Sequence, residues 1–322
     1  MLSTDSTSPS KVDNSDKVII DVAKSSKLDP YSDLIILQKL SDYTHPVFLA
    51  RSSSSQKTLA AKMFSDPDDF NAGFMNHVRF MKLKHKNIIT SLGCLERADI
   101  YYNNKVQNVG ILIMEYAPYH DFHDLIFQKK LQFDDKLSRT FFRHMILGLQ
   151  YLHSNEIAHL NLRPSNLLLG EDLQLKIANF TNAYSIGDVF IQDKNSNNYR
   201  APELQLQNFK APAVADVYAA GIILFLMKSG GHFPFASTNG NIDMFSLLHN
   251  DPETFWNLHE SEKGTAANYY DKEFRTLFTQ MTRDNPSDRA TIGEIILSDW
   301  YNKEIYEPEE LRQLMQEHRR EL

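Results

Sequence analysis

The run His159-Leu-Asn-Leu-Arg-Pro-Ser-Asn-Leu-Leu-Leu169 is followed by Leu175-Lys-Ile-Ala-Asn-Phe-Thr181 and then by Ala201-Pro-Glu203. These three runs, in this order and at this spacing, decide the fold. Upstream of them, from Asp33 to about Ile113, the texture is mostly of short β-like runs: Leu34–Leu37, Val47–Ala50, Thr58–Met63 and Val109–Met114. One helical stretch, from about Pro67 to Leu83, interrupts them. From about Asp121 onward the chain reads as mostly helical. Leu137–His153 carries Phe141, Phe142, Met145, Leu149 and Leu152 at helical spacing. Asp216–Lys228 is almost wholly apolar, which calls for a buried helix. A small β-rich part followed by a larger helical part is an α+β plan with two lobes.

The 322 residues suffice for one large domain or two modest ones. A formal net charge of -7 leaves no basic footprint for nucleic acid. The single cysteine, Cys94, excludes an internal disulfide and any clustered-thiolate zinc site, and it is expected to be a small buried hydrophobe. No apolar run approaches the roughly 20 residues of a membrane span, and no signal-peptide core opens the chain. A cytoplasmic location is therefore expected.

The three runs resemble the catalytic loop, metal-binding loop and activation-segment anchor of the eukaryotic protein kinases. Further motifs extend the resemblance over about residues 33 to 301. Ala60-Ala-Lys62 resembles the lysine motif of the third N-lobe strand, and His85-Lys-Asn-Ile88 the turn after the N-lobe helix. Met114-Glu-Tyr-Ala-Pro118 resembles gatekeeper plus hinge. Asp216-Val-Tyr-Ala-Ala-Gly221 resembles the start of the central C-lobe helix. Pro286-Ser-Asp-Arg289 resembles the arginine that pairs with the anchor glutamate, here Glu203. The aromatic pairs Phe255-Trp256 and Trp300-Tyr301 lean toward the calmodulin-dependent and AMP-activated branch of Ser/Thr kinases. The resemblance implies residues 29–118 as the N-lobe with hinge and 119–302 as the C-lobe, while composition makes residues 1–28 a flexible tail and the charge polarity and apolar stripe of residues 303–322 make them a C-terminal amphipathic helix.

A kinase must position ATP, neutralise its phosphates with metal and take a proton from the substrate hydroxyl. At the position of the proton acceptor stands Asn161, and a carboxamide cannot take a proton near neutral pH. At the position of the principal metal ligand stands Asn179, and the second family ligand, Asn166, is kept; two amides without a carboxylate make a poor magnesium site. Thr181 replaces the glycine beside them. The phosphate-covering loop has no glycine, because the first glycine in the chain is Gly73, and its stretch Leu40–Val47 contains Asp42, which would repel phosphate, and Pro46, which lacks a donor. Asn76 stands where a glutamate should pair with Lys62. Leu160 replaces an arginine that often grips an activation-loop phosphate, Ser165 an acid that selects basic substrates, and Arg163 the lysine that contacts the transferred phosphoryl. Loss of that gripping arginine argues against phospho-switching of the segment that carries Ser185, Ser196 and Tyr199.

Packing positions tell the opposite story. His159, Phe180 and Phe80 match the family's regulatory spine, and Asp216, Glu203 and Arg289 its large-lobe anchors. Val47, Ala60 and Leu168 match the residues that flank adenine. The candidate nucleotide cleft is Val47, Ala60, Lys62, Met114, Glu115, Ala117, Asn166, Leu168 and Asn179. No residue is expected to be catalytic and no metal is expected. The expected function is that of a pseudokinase acting as a scaffold or allosteric partner of other proteins, in a cytoskeletal or signalling assembly. No cofactor is required, ATP is the ligand the cleft would suit, and Mg²⁺ does not fit. The alternatives are a weak or unconventional ATP-dependent Ser/Thr kinase and a nucleotide-sensing pseudokinase.

Other features have plain readings. Val18, Ile19 and Ile20 form an apolar strip in the N-terminal segment. Asp66–Asp69 suits the first turn of a helix. His120, Asp121, His123 and Asp124 mimic a metal cluster, but a solvated face is expected. Glu307–Leu322 reads as a helix whose stripe of Leu311, Leu314 and Met315 is expected to pack on its own domain, the alternative being a partner-binding helix.

Overall fold

Strand-forming residues between Leu34 and Glu115 alternate in burial or are buried on both faces, and they build one antiparallel sheet. The computed structural model describes residues 19–21, 34–41, 45–65, 73–102, 105–189, 198–205, 210, 212–235, 243–263 and 269–321. Val18, Asp42, the Asp66–Asp69 cluster and Ser196 lie outside them. The chain divides into two compact units, one of residues 1–81 and 91–116, the other of residues 82–90 and 117–322.

In the first unit, six strands lie in the order β1-β5-β6-β4-β3-β2. They are β1 (Ile19–Asp21), β2 (Leu34–Ser41), β3 (Val47–Ser52), β4 (Thr58–Phe64), β5 (Ser91–Tyr102) and β6 (Lys105–Glu115). Phe48, Ala50, Leu59, Ala61, Met63, Leu95, Ile100, Val109, Ile111 and Ile113 form its core. Two expectations change here. Ile19 and Ile20, read as part of a free tail, pair with Tyr101 and Ile100 as an edge strand. The helix expected from about Pro67 to Leu83 is, among the described residues, only α1 (Met75–Arg79). Phe80 closes it at φ -100°, ψ 8°, outside helical geometry. Cys94 is half-buried on β5 opposite Leu112 rather than buried.

In the second unit, α2 (Asp135–Ser154) is capped by Asp134, whose side chain accepts from the Leu137 N–H. Two short antiparallel strand pairs frame the run that decides the fold. β7 (Ile157–Ala158) pairs with β10 (Tyr184–Ser185), and β8 (Leu167–Leu169) with β9 (Leu175–Ile177). α3 (Val214–Ser229) is buried from Ala215 to Ser229, as its almost wholly apolar sequence suggests. Around Phe225 cluster Phe255, Trp256, Tyr270 and Phe278 from α5 (Pro252–Lys263), α6 (Lys272–Met281) and the link between them. α4 (Met244–Asn250) and α7 (Ile292–Leu297) complete this part; a capping box of Thr291 and Glu294 starts α7.

The last helix, α8 (Pro308–Glu321), lies on its own unit, as its stripe suggests. Leu311 is 2% exposed. Leu314 and Met315 are half-buried, and Met315 walls a cavity of about 350 Å³ with Pro118, Leu125 and Leu173. The approach to α8 is pinned by α2. Arg139 donates to the carbonyls of Trp300 and Glu304 at 2.7 Å each, and Arg143 to that of Tyr301 at 2.8 Å. Among the described residues no helix is long and apolar enough to cross a membrane.

Candidate functional site

In the first unit, sheet register brings the adenine-end residues together. Val47 lies opposite Lys62, Ala60 opposite Met114, and Leu59 opposite Glu115, on the neighbouring strands β3, β4 and β6. Ala60 and Met114, paired across β4 and β6, are both buried. Lys62 is 8% exposed, with Nζ 5.2 Å above the Phe64 ring and 3.5 Å from His77 Nε2. His77 follows Asn76, so an imidazole on α1 stands beside the lysine where a carboxylate was sought. It gives Lys62 a polar contact and no countercharge. The His45 ring packs edge-on against Phe64 at 4.5 Å, and the Pro46 carbonyl accepts from the Met63 N–H at 3.0 Å. An imidazole thus fills space where a glycine loop would present bare N–H groups.

The second unit holds Asn161, Arg163, Asn166, Leu168 and Asn179, together with Ala117. The fixed point is Asp216 on α3. Its carboxylate accepts the backbone N–H groups of His159 and Leu160, at 2.8 Å each. This clasp holds Leu160 at φ +55°, a left-handed conformation that an ordinary L-residue adopts only when its surroundings impose it. His153 Nε2 lies 3.0 Å from the same carboxylate. His159 is fully buried, contacts the Ala178 carbonyl through Nε2 at 2.9 Å and meets the Phe180 ring edge-on at 5.4 Å. Burial pushes the His159 imidazole pKa down, which favours the neutral ring. This suits a packing role.

From that frame a chain of amides runs across the site. Asn166 Nδ2 donates to the Asn161 carbonyl at 2.7 Å, and Asn179 Nδ2 donates to Asn166 Oδ1 at 3.0 Å. The Thr181 hydroxyl donates to Asn179 Oδ1 at 2.8 Å. Asn179 takes φ +67°, which Asn tolerates better than most residues. The two positions implied as metal ligands are therefore bonded to each other, and each amide oxygen already accepts a hydrogen bond. Neither contributes a negative charge.

Arg163 is half-buried, and among the described residues its Nε has no hydrogen-bond partner. Its charge reaches Tyr199, whose phenol burial nevertheless pushes up to about 12. The anchor is formed as expected: Arg289 grips Glu203 through two parallel bonds of 2.6 and 2.9 Å, both side chains being buried. His85, expected to be structural, stacks on Tyr151 at 4.9 Å and accepts the Asn87 N–H through Nδ1.

Residues that sequence reasoning missed are His77, Thr181 as a hydrogen-bond donor, and His45 as a filler. His77 is one position from the sought glutamate, but its contact with Lys62 is tertiary and could not be read from the chain.

The protein kinase domain family matches residues 44–301. The chain is 32% identical over 255 residues to a carbon catabolite-derepressing protein kinase of Candida albicans, which covers 78% of the chain and 36% of that protein. It is 29% identical over 279 residues to an SNF1-like protein kinase of Schizosaccharomyces pombe, covering 83% of the chain and 43% of the relative. It is 26% identical over 268 residues to a CBL-interacting protein kinase of Oryza sativa, covering 80% and 49%. The chain spans half or less of the length of these relatives. All three are named as protein kinases. With two thirds of the chain or more aligned in each case, and the motifs falling where the fold requires them, the chain belongs to the protein kinase domain family.

Proposed function

We propose that this domain acts by binding: a protein kinase-like scaffold or allosteric partner of other proteins that has lost phosphotransfer. One observation carries the reading, the Asn179 Nδ2 to Asn166 Oδ1 bond of 3.0 Å at the place of the metal. Magnesium sheds water reluctantly and is held through carboxylates. Here it would have to break an amide pair and receive no charge in return. Asn161 adds the loss of a proton acceptor. ATP remains a candidate ligand through Val47, Ala60, Lys62, Met114 and Leu168, held without metal.

A second reading, an ATP-dependent Ser/Thr protein kinase of low or unconventional activity, is the one the relatives' names support. Lys62, Asn166 and the formed Glu203–Arg289 anchor fit it. Kinases turn over at about 1–100 s⁻¹, and losing the general base alone lowers a rate about 10²–10⁴-fold. Radiolabelled ATP supplied to the full chain at high concentration, beside Asn161→Ala and Lys62→Ala variants, separates the two. Incorporation no greater than in the variants supports the binding role. Incorporation that either variant abolishes supports the kinase.

A further inference from the structure

His120, Asp121, His123 and Asp124 form a cluster of nitrogen and oxygen donors in the second unit, and none of them belongs to the candidate nucleotide cleft. Ligand atoms of Asp121, His123 and Asp124 all lie within 4.8 Å of one another. The fourth residue is also close, with His120 Nδ1 3.4 Å from Asp124 Oδ2. The backbone makes this convergence. His120 is left-handed at φ +66°, and Asp124–Gln128 forms a single π-helical turn, a rare element often found at functional sites. Asp121 Oδ1 accepts the Asp124 N–H at 2.9 Å, which fixes that carboxylate. The His123 ring lies 5.0 Å from the Phe127 ring, which restrains the imidazole.

We propose that these four side chains bind one divalent transition-metal ion of the zinc type. Two imidazoles and two carboxylates match the ligand types and number of a tetrahedral zinc site, whereas Ca²⁺ and Mg²⁺ take oxygen ligands. Metal bonds of about 2.1 Å bring tetrahedral ligands to about 3.4 Å from each other. The ligand atoms of Asp121, His123 and Asp124, within 4.8 Å of one another, need to close by up to about 1.4 Å, and His120 is already 3.4 Å from Asp124. The ligand atoms of Asp121 and Asp124 lie within 4.8 Å of each other, so the two carboxylates repel, and a bound cation would relieve that repulsion. The sequence suggests only a solvated face, because spacing along the chain does not reveal that three donor atoms come within 4.8 Å of one another.

The test uses the full chain, stripped with a chelator and titrated with Zn²⁺ against a chromogenic competitor. One equivalent is expected to bind. Asp121→Asn keeps the cap, since Asn caps as well as Asp, yet is expected to weaken zinc binding more than about tenfold, at or above what loss of an outer-shell partner costs. His123→Ala should do the same, with circular dichroism unchanged. Zn²⁺ should raise Tm in the parent and not in a His120→Ala/Asp124→Ala double variant. Zinc affinity within twofold of the parent in both single variants would overturn the proposal, because the ion would then sit on other histidines. So would equal protection by Mg²⁺ at the same concentration.

Discussion

Asn179 donates its side-chain N–H to the side-chain oxygen of Asn166 at 3.0 Å, so two residues that resemblance assigns to one metal ion are partners of each other. The bond is made possible by the left-handed turn at Asn179 and is completed by Thr181. Replacing Asn179 by Asp removes the donor and sets a carboxylate against an amide oxygen. Asn179→Asp should therefore lower unfolding free energy by about 1–3 kcal/mol, the range for leaving a buried polar group without its partner. Urea denaturation of the two proteins measures this.

The Glu203–Arg289 pair is buried and bidentate. Truncating one member leaves a buried charge. Glu203→Ala should cost about 3–5 kcal/mol, and Arg289→Lys should recover part of the loss relative to Arg289→Ala, since it keeps the charge without the fork. Guanidinium unfolding midpoints check both.

His144 gives the stability a pH dependence. Burial, with Lys86 adding to it, depresses its imidazole pKa from 6.5 to about 4. Its Nδ1 contacts the Leu175 N–H at 3.4 Å, and the residue is buried. The folded state holds the ring neutral while the unfolded chain protonates below its ordinary value. Proton uptake thus favours unfolding as the pH falls. Stability is full above 6.5 and declines between 6.5 and about 4, by roughly 2–3 kcal/mol from this group at about 1.4 kcal/mol per pH unit. Burial depresses His159 in the same direction. His144→Phe should flatten the slope of stability between pH 6.5 and 4.5, read by urea unfolding at a series of pH values.

The C-terminal helix α8 is held by Leu311, by Lys136–Glu310 at 3.0 Å and by the Tyr306 hydroxyl on Asp134 at 2.9 Å. The ion pair is half-exposed and contributes little; the buried leucine dominates. Leu311→Ala should cost about 2–5 kcal/mol if α8 unfolds only with the rest of the unit. Hydrogen exchange should show protection of Leu311–Gln316 lost in that variant. Unchanged protection would mean that the polar contacts alone suffice.

Much of this was legible in the sequence, and the exceptions share a cause. The helix Val214–Ser229 and the Glu203–Arg289 anchor follow from apolar runs and ordered motifs. The edge strand Ile19–Asp21 was not legible, since three residues become a strand only by pairing with Asp99–Tyr101, far along the chain. The contact between His77 and Lys62 depends on where α1 sits against β4, which no local pattern sets. Asparagine at 161 and 179 told that charge was missing. That Asn166 and Asn179 satisfy one another had to come from the backbone turn at Asn179.

If the metal position is closed by that amide pair, ATP binding should be indifferent to magnesium. Isothermal titration of the full chain with ATP, in EDTA and again in millimolar Mg²⁺, tests this directly. The expected result is an affinity that differs by less than about twofold between the two conditions, or weakens in Mg²⁺, since Lys62 then meets a partly neutralised phosphate. An affinity that Mg²⁺ strengthens tenfold or more, and that Asn179→Ala abolishes, would contradict the central claim that this site holds no metal.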